Sequence, residues 1–567
     1  MEVIKLNESY SIIDDKPEKL QEIFNFLRVL RPGAYFDPMV KSGFKSPYDY
    51  YASIQNKKLL VMNGHLSLLG HFGVIPEEIK SEYTQDDLDK FLSQVKSTLP
   101  FAPHDFQERA FKESILNVKQ INKMCTGSGK SMTISLIAEF FRRQGKKGLL
   151  LVPNINLLTQ FKNDIKDYNL HELHNDTHTI GGGSTERHFN NSLTISTWQS
   201  MMTSKSSLDE LDYVITDEAH RFASEETGDI VKSTVNCRYK WGFTGTLPED
   251  PTMKMELFGL FGLPKTYVTS RELIDRGLAT PIKINSVLFK YNDQDKKLFR
   301  ATGNYAKQLQ FIKDHEARNS FVVNLSCKLR NNGNTLVLFS HTSHGKLLFM
   351  EVMRKLYPGV EVQNKDITGK NSFGFQEKYG VYFLNGEDDA KTRELTRKIL
   401  EEHDSARLTL EDGSTLVLRK DTNVELADGT HKHQKDLTVQ DEIDLDWLKE
   451  YTTSEGTSPE CTKIKEIHRP GSILISNYQI LSTGVNIKKL HNMVLSSPLK
   501  SYTTVTQSIG RGMRLHETKE VFTVFDLVDD FGFRTPSGIF YKQYEHRKKS
   551  SYNVEEFPVH EREFALY

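Results

Sequence analysis

Short runs of consecutive apolar residues recur along this chain. Each is followed by a polar or glycine-rich turn, and then by apolar residues three and four positions apart. Residues 117–124 read as a buried strand, and Ile134, Ile137, Ala138 and Phe141 put an apolar stripe on a helix over 132–141. Residues 148–152 repeat the pattern, with a helix from about Asn156, and 193–196 and 211–215 supply further strands. A second series begins near Lys283. Strands at 334–339 and 381–386 are followed by helices at 345–356 and 391–402, with more strands at 472–476, 493–496 and 521–527. Strands apolar on both faces that alternate with helices predict parallel sheets covered on both sides. Two such series predict two α/β domains, over 96–282 and 283–530.

Three stretches fall outside the pattern. Residues 1–95 read as a separate small α+β domain, with Leu20, Ile23, Phe24, Leu27 and Leu30 on one helical face. Its aromatic, turn-rich segments Gly33–Pro38 and Lys41–Ser46 interleave rings with cations, which suits either nucleic-acid stacking or an ordinary core with surface lysines. Residues 405–465 interrupt the second series. Their two Asp-Gly turns, Asp412-Gly413 and Asp428-Gly429, sit between alternating residues and predict two β-hairpins. Between Asp404 and Lys463, 14 acidic residues face 7 basic ones, a net of −7, so this module should avoid phosphate and is expected to meet a protein partner if any. The hairpins faintly resemble the Hint fold of inteins, without its nucleophile or terminal His-Asn. Residues 531–567 read as a C-terminal tail with basic Lys542, Arg547, Lys548 and Lys549.

Composition narrows this picture little. With 37% hydrophobic and 26% charged residues, the chain has the make-up of an ordinary soluble protein. Its net charge of −1 makes any nucleic-acid site a local groove. The four cysteines lie far apart, which argues for a reducing compartment and against a zinc ribbon. His171-Glu172-Leu173-His174 is one residue short of a zinc-binding helix and reads as a solvated helix end. The first residues do not read as a signal peptide, and no apolar run approaches the ~18 residues of a membrane span, so a cytoplasmic location and no membrane partner are expected.

The chemistry is concentrated in a few places. In Cys125-Thr126-Gly127-Ser128-Gly129-Lys130-Ser131 a glycine-rich turn joins a strand to a helix, aiming backbone N–H groups and a helix N-terminus at one point suited to a phosphate. Lys130 is expected to reach the β- and γ-phosphates, and the Ser131 hydroxyl to ligate Mg²⁺. The strict P-loop pattern wants glycine at 124, where this chain has Met124. At the end of the 211–215 strand, Asp217 and Glu218 bring two carboxylates to the sheet edge. Asp217 suits a water-mediated Mg²⁺ contact, and Glu218 suits orienting and deprotonating an attacking water. His220 is placed to couple them to Thr244-Gly245-Thr246. Arg511 and Arg514, read as three apart at a helix start, suit a γ-phosphate through planar guanidinium bonding.

Together these segments, with Ser340-His341, Thr483-Gly484 and Gln507 to Arg514, resemble a superfamily 2 DNA helicase. The chain is most similar to the UvsW-type phage recombination helicases, through Tyr35-Phe36-Asp37-Pro38, Gly181 to Gly183 ahead of Thr197-Trp198-Gln199, Ser343 to Lys346 and Phe525 to Asp530. The resemblance implies two tandem RecA-like motor domains and ATP-driven unwinding or branch migration of single-stranded, forked or four-way DNA, with residues 1–95 as a DNA-binding domain that helps choose the substrate, in a host cytoplasm if phage-encoded. The insertion at 405–465 is not part of that family's pattern. It gives Gln107 the adenine, and Gly484 a place in the ATP site with Thr126 to Ser131. Gln507 joins His220 and Thr244 to Thr246 in coupling. Pro153, Gly182, Gly183, Thr197, Trp198, Ser340, His341 and Thr483 fall on the DNA strand. A duplex translocase and an RNA helicase remain the alternatives, the latter opposed by Gln507 where RNA-acting relatives begin with His-Arg. A scaffold with a dead nucleotide site is opposed by the presence of Lys130, Asp217, Glu218, Arg511 and Arg514.

Overall fold

The computed structural model describes residues 2–74, 81–181, 188–202, 208–368, 372–402, 406–411, 415–418, 422–448, 462–468, 471–478, 487–499, 501–532 and 539–566. The chain divides into two compact units, Met1–Arg276 and Gly277–Tyr567. Each is built on a seven-stranded, all-parallel sheet, so the expected tandem α/β architecture is present.

In the first unit the strands lie in the order Pro264–Val268, Lys119–Met124, Tyr239–Thr244, Tyr213–Asp217, Gly148–Val152, Leu193–Thr197, Thr177–Ile180. Gly148–Val152, Tyr213–Asp217 and Tyr239–Thr244 are buried at every position. Helices cover both faces, which is why Gly148–Val152 reads as an unbroken apolar run. The helix Lys130–Arg143 follows the first central strand, and the helix Ile155–Asp167 follows Gly148–Val152, capped by Asn154, whose Oδ1 accepts from Leu157 N.

Residues 1–95 were expected to stand apart, but the structure packs them into the first unit. A four-stranded antiparallel sheet, in the order Glu2–Lys5, Tyr10–Asp14, Lys58–Met62, Ala52–Gln55, docks through specific polar bonds. Glu8 N donates to Val235 O at 2.8 Å, Ser9 Oγ to Lys232 O at 3.0 Å, and Tyr51 OH to Thr252 O at 2.7 Å. Gly64 admits the close approach, since a Cβ there would stand 2.1 Å from Phe258 O. The helix Gln85–Val95 belongs to the first sheet's layer, with Phe91 stacked on Phe111.

This docking traps a cation. Lys240 is 2% exposed, and its Nζ donates to Ser9 Oγ at 2.8 Å and Val231 O at 3.2 Å. Burial lowers its pKa from 10.5 to about 8. Between those values the unfolded chain holds a proton that the folded chain has released, so stability rises with pH over that window. One proton contributes at most about 1.4 kcal/mol per pH unit. Thermal unfolding between pH 8 and 10.5 is expected to show a shallower rise in Lys240→Met than in the wild type; equal slopes would mean that Lys240 is hydrated.

The second unit orders its strands Val381–Leu384, Ile473–Asn477, Thr335–Phe339, Asn492–Leu495, Phe522–Asp530, Ile282–Tyr291, Val559–Leu566. The last of these corrects the reading of 531–567 as a tail. Val559–Leu566 runs parallel to Ile282–Tyr291 as an edge strand, and its run of exposed charged residues hid it from a search for apolar runs. Arg547, one of the basic residues of that supposed tail, is buried: its guanidinium holds Asp526 at 2.8 Å and donates to Leu499 O.

The insertion forms the two expected hairpins. Ala406–Leu410 pairs with Thr415–Leu418, and Asn423–Glu425 with His431–His433. Ile464–His468 closes the first on its other side, so the module extends to His468. Leu408, Leu418, Val424, Ile443 and Leu448 give it a small core of its own. Replacing residues 404–469 with a Gly/Ser linker should therefore leave the second unit folded. Thermal unfolding checks this, and loss of the cooperative transition would show the module to be integral.

Candidate active site

The strand order brings the sequence-distant motifs together. Lys119–Met124 and Tyr213–Asp217 flank Tyr239–Thr244, so the glycine-rich loop, the Asp217-Glu218 pair and the Thr244–Thr246 turn all leave one stretch of the sheet's C-terminal edge. Gly245 lies against the loop, 3.5 Å from Met124 O and 3.6 Å from Thr126 N as measured from the position of a Cβ.

The loop's shape is internally fixed. Gly129 takes φ +74 ahead of the helix Lys130–Arg143, and a Cβ there would stand 2.4 Å from Gln107 Nε2. Ser128 is buried, and its Oγ donates to Cys125 O at 2.7 Å. Gln107 clamps the loop from outside: Nε2 donates to Ser128 O at 2.9 Å, while Oε1 accepts from His104 N at 2.8 Å. Its amide thus holds the loop in this structure, and the adenine role remains an expectation. Lys130 Nζ reaches Met124 O at 3.4 Å, and the Ser131 hydroxyl pairs with Tyr168 OH at 2.7 Å. Tyr168 escaped the sequence reading because nothing local marks a residue 37 positions away.

Asp217 is 8% exposed and its Oδ1 is buried without a hydrogen-bond partner. Burial, then the neighbouring Glu218 charge, push its pKa up to about 7, against the pull of Lys130 and Arg221. A buried carboxylate oxygen with no donor is poised for a cation, so the residues fit Mg²⁺. Glu218 follows at φ 53, a left-handed conformation uncommon outside glycine, as the chain turns sharply from the strand into the 3₁₀ turn Ala219–Phe222.

A relay leaves from there. His220 Nδ1 lies 3.4 Å from Glu218 Oε2 and 3.0 Å from Thr244 Oγ1. Thr244 Oγ1 donates its one proton to Thr246 O at 2.7 Å, so toward His220 it accepts. His220 therefore carries its proton on Nδ1. Burial lowers its pKa and keeps the ring neutral, with Nε2 a bare acceptor.

Among the expected DNA contacts in this unit, Pro153 and Thr197 come together, because Thr197 pairs with Val152 in register. Both are buried, Thr197 Oγ1 bonds to Ser200 Oγ at 2.9 Å, and Trp198 opens the helix Trp198–Met202. Gly182, Gly183, Thr483 and Gly484 lie outside the described residues. In the second unit, Ser340 and His341 follow the strand Thr335–Phe339, and Ser340 N donates to Ser497 Oγ at 3.2 Å. Arg511 and Arg514 do not open a helix. The helix is Tyr502–Gly512, capped by Ser501, whose Oγ accepts from Thr504 N; Gln507 is buried within it, Arg511 lies in its last turn and Arg514 lies beyond its end. The Ser501 cap and the buried Val505 and Ile509 start this helix earlier than the motif does.

Comparison with known proteins agrees with this geometry. Residues 100–249 match the model of the family described as type III restriction enzyme, res subunit. Over 477 residues, covering 82% of this chain and 77% of the relative, the chain is 26% identical to the ATP-dependent DNA helicase uvsW of Enterobacteria phage T4. It is 28% identical over 196 residues to the DNA 3'-5' translocase XPB2 of Sulfurisphaera tokodaii, covering 34% of this chain and 42% of that protein. A fragment assigned to an HsdR subunit of a type I restriction enzyme from Vibrio vulnificus has the same fold. Its TM-score is 0.50 at 16% identity, over 88% of this chain and 73% of that one. The phage likeness is longer than either unit, so it takes in residues of both, and over most of its length the chain is similar to an ATP-dependent DNA helicase.

Proposed function

We propose that this chain couples ATP hydrolysis to unwinding or branch migration of forked and junction DNA, in recombination, repair or replication restart. The observation that carries the catalytic half is the Asp217–Glu218–His220–Thr244 chain at the edge the phosphate loop shares. The DNA half is supported by the phage relative, which is named a DNA helicase.

In this reading Lys130 and the N-terminus of its helix bind the nucleotide phosphates, and Gln107 keeps the loop in shape for them. Ser131 and Asp217 would hold Mg²⁺, Asp217 through water; the ion, when bound, neutralises phosphate charge. Glu218 orients the attacking water and accepts its proton. His220 carries the state of that carboxylate to Thr244 and Thr246, and so toward the strand ends that carry Pro153 and Thr197. Arg511 and Arg514 are assigned the charge that develops on the transferred phosphoryl group.

The test is ATPase rate with single-stranded, blunt duplex and forked DNA and with RNA, alongside strand displacement from the fork. Stimulation and displacement with forked DNA support the reading, and stimulation by RNA alone would overturn it. The restriction-enzyme match favours a second reading, a duplex translocase. That motor would be stimulated by blunt duplex and would displace a third strand without opening the fork.

A further inference from the structure

Residues 31–47 form an excursion between two paired strands, Arg28–Leu30 and Tyr48–Tyr50, in the N-terminal part of the first unit. Its neck is closed: Arg31 N donates to Pro47 O at 2.9 Å, the Arg31 guanidinium donates to Ser46 O, and Arg31 Nε stands 3.4 Å from Asp49. Only Ala34 is buried within it. The 3₁₀ turn Ala34–Phe36 and the short helix Pro38–Lys41, capped by Asp37, carry the chain to the tip, where Lys45 N returns to Met39 O at 3.0 Å.

This closed, hydrogen-bonded tip holds its largest rings in water. Phe36 is 82% exposed and Phe44 81%, with Tyr35 and Met39 more than half exposed beside them. Single exposed apolar residues need no explanation, but four within ten positions on one tip do. Charge indicates what covers them. From Arg28 to Tyr48 there are four cations and one carboxylate, in a chain of net charge −1. Lys41 Nζ stands 6.0 Å over the Phe36 ring, and the Arg28 guanidinium 4.7 Å over Tyr48. Rings edged with cations match the two faces of an unpaired nucleotide, base and phosphate.

We infer that Phe36 and Phe44 stack on unpaired bases of a DNA strand, with Lys41 and Lys45 against its phosphates, so that this tip selects DNA with a single-stranded arm. The inference rests on the DNA-motor reading above and adds the feature of the substrate that is recognised.

The test uses the full chain and fluorescence anisotropy with three probes of equal length: blunt duplex, a fork with unpaired arms, and single strand. Stacking contributes roughly tenfold per ring. Phe36→Ala/Phe44→Ala should therefore weaken fork and single-strand binding by about 10–100-fold while leaving blunt-duplex affinity and the DNA-independent ATPase unchanged. Phe36→Trp/Phe44→Trp should retain binding, because the ring faces remain. Lys41→Ala/Lys45→Ala should flatten the salt dependence. Undiminished fork binding by the double alanine variant would overturn the inference while leaving the motor reading intact, as would an equal loss on blunt duplex. A wild-type chain that binds no probe, and whose ATPase no DNA stimulates, would overturn both.

Discussion

Glu218→Gln is expected to bind ATP as the wild type does while turning it over about 10²–10⁴-fold more slowly, the usual cost of losing a general base. Glutamine keeps the length of the side chain, and an amide tolerates the left-handed backbone at φ 53 about as well as a carboxylate. It cannot accept the water's proton. It also removes the charge that, after burial, does most to push the Asp217 pKa up, so Asp217 should ionise more readily and metal binding should not suffer. Nucleotide titration alongside single-turnover hydrolysis separates the two effects. Parallel loss of binding and turnover would make Glu218 a metal or structural residue and leave the chain without a base.

Lys130→Ala should cost hydrolysis at least the 10²–10³-fold typical of removing one preorganised charge-stabilising donor, with the protein still folded. Folding survives because Gly127, Gly129 and the Gln107 clamp shape the loop, and among the described residues Lys130 contributes to it one long bond, 3.4 Å to Met124 O. In the proposed role its charge serves two ends, the phosphates and Asp217, whose raised pKa Lys130 partly offsets. In the variant Asp217 should hold its proton to higher pH, so the pH at which the residual rate levels off should move up relative to the wild type. Circular dichroism with a pH series of turnover checks both parts. Near wild-type hydrolysis would remove the loop from the active site.

How far the chain can be read without its structure depends on whether the physics is local. The strands Gly148–Val152 and Thr335–Phe339 are legible because a strand buried on both faces needs apolar residues at every position, whatever lies beside it. The turn at 125–131 is legible because only glycine takes positive φ cheaply at Gly127 and Gly129. The hairpins of the insertion are legible from their Asp-Gly turns, and they sit where those turns place them. What depends on distant partners is silent. Val559–Leu566 reads as solvated because it is an edge strand, and only its pairing with Ile282–Tyr291 makes it part of the sheet. Nothing near Arg547 announces that Asp526 will bury it, and nothing near Ser131 announces Tyr168. The sequence alone determined which residues are candidates for the chemistry, because glycine geometry, carboxylates and cations are properties of the residues themselves. The tertiary structure decided that the loop, Asp217-Glu218 and Thr244–Thr246 share one sheet edge, because strand order is settled by crossover connections and the burial of both faces, which no local segment encodes.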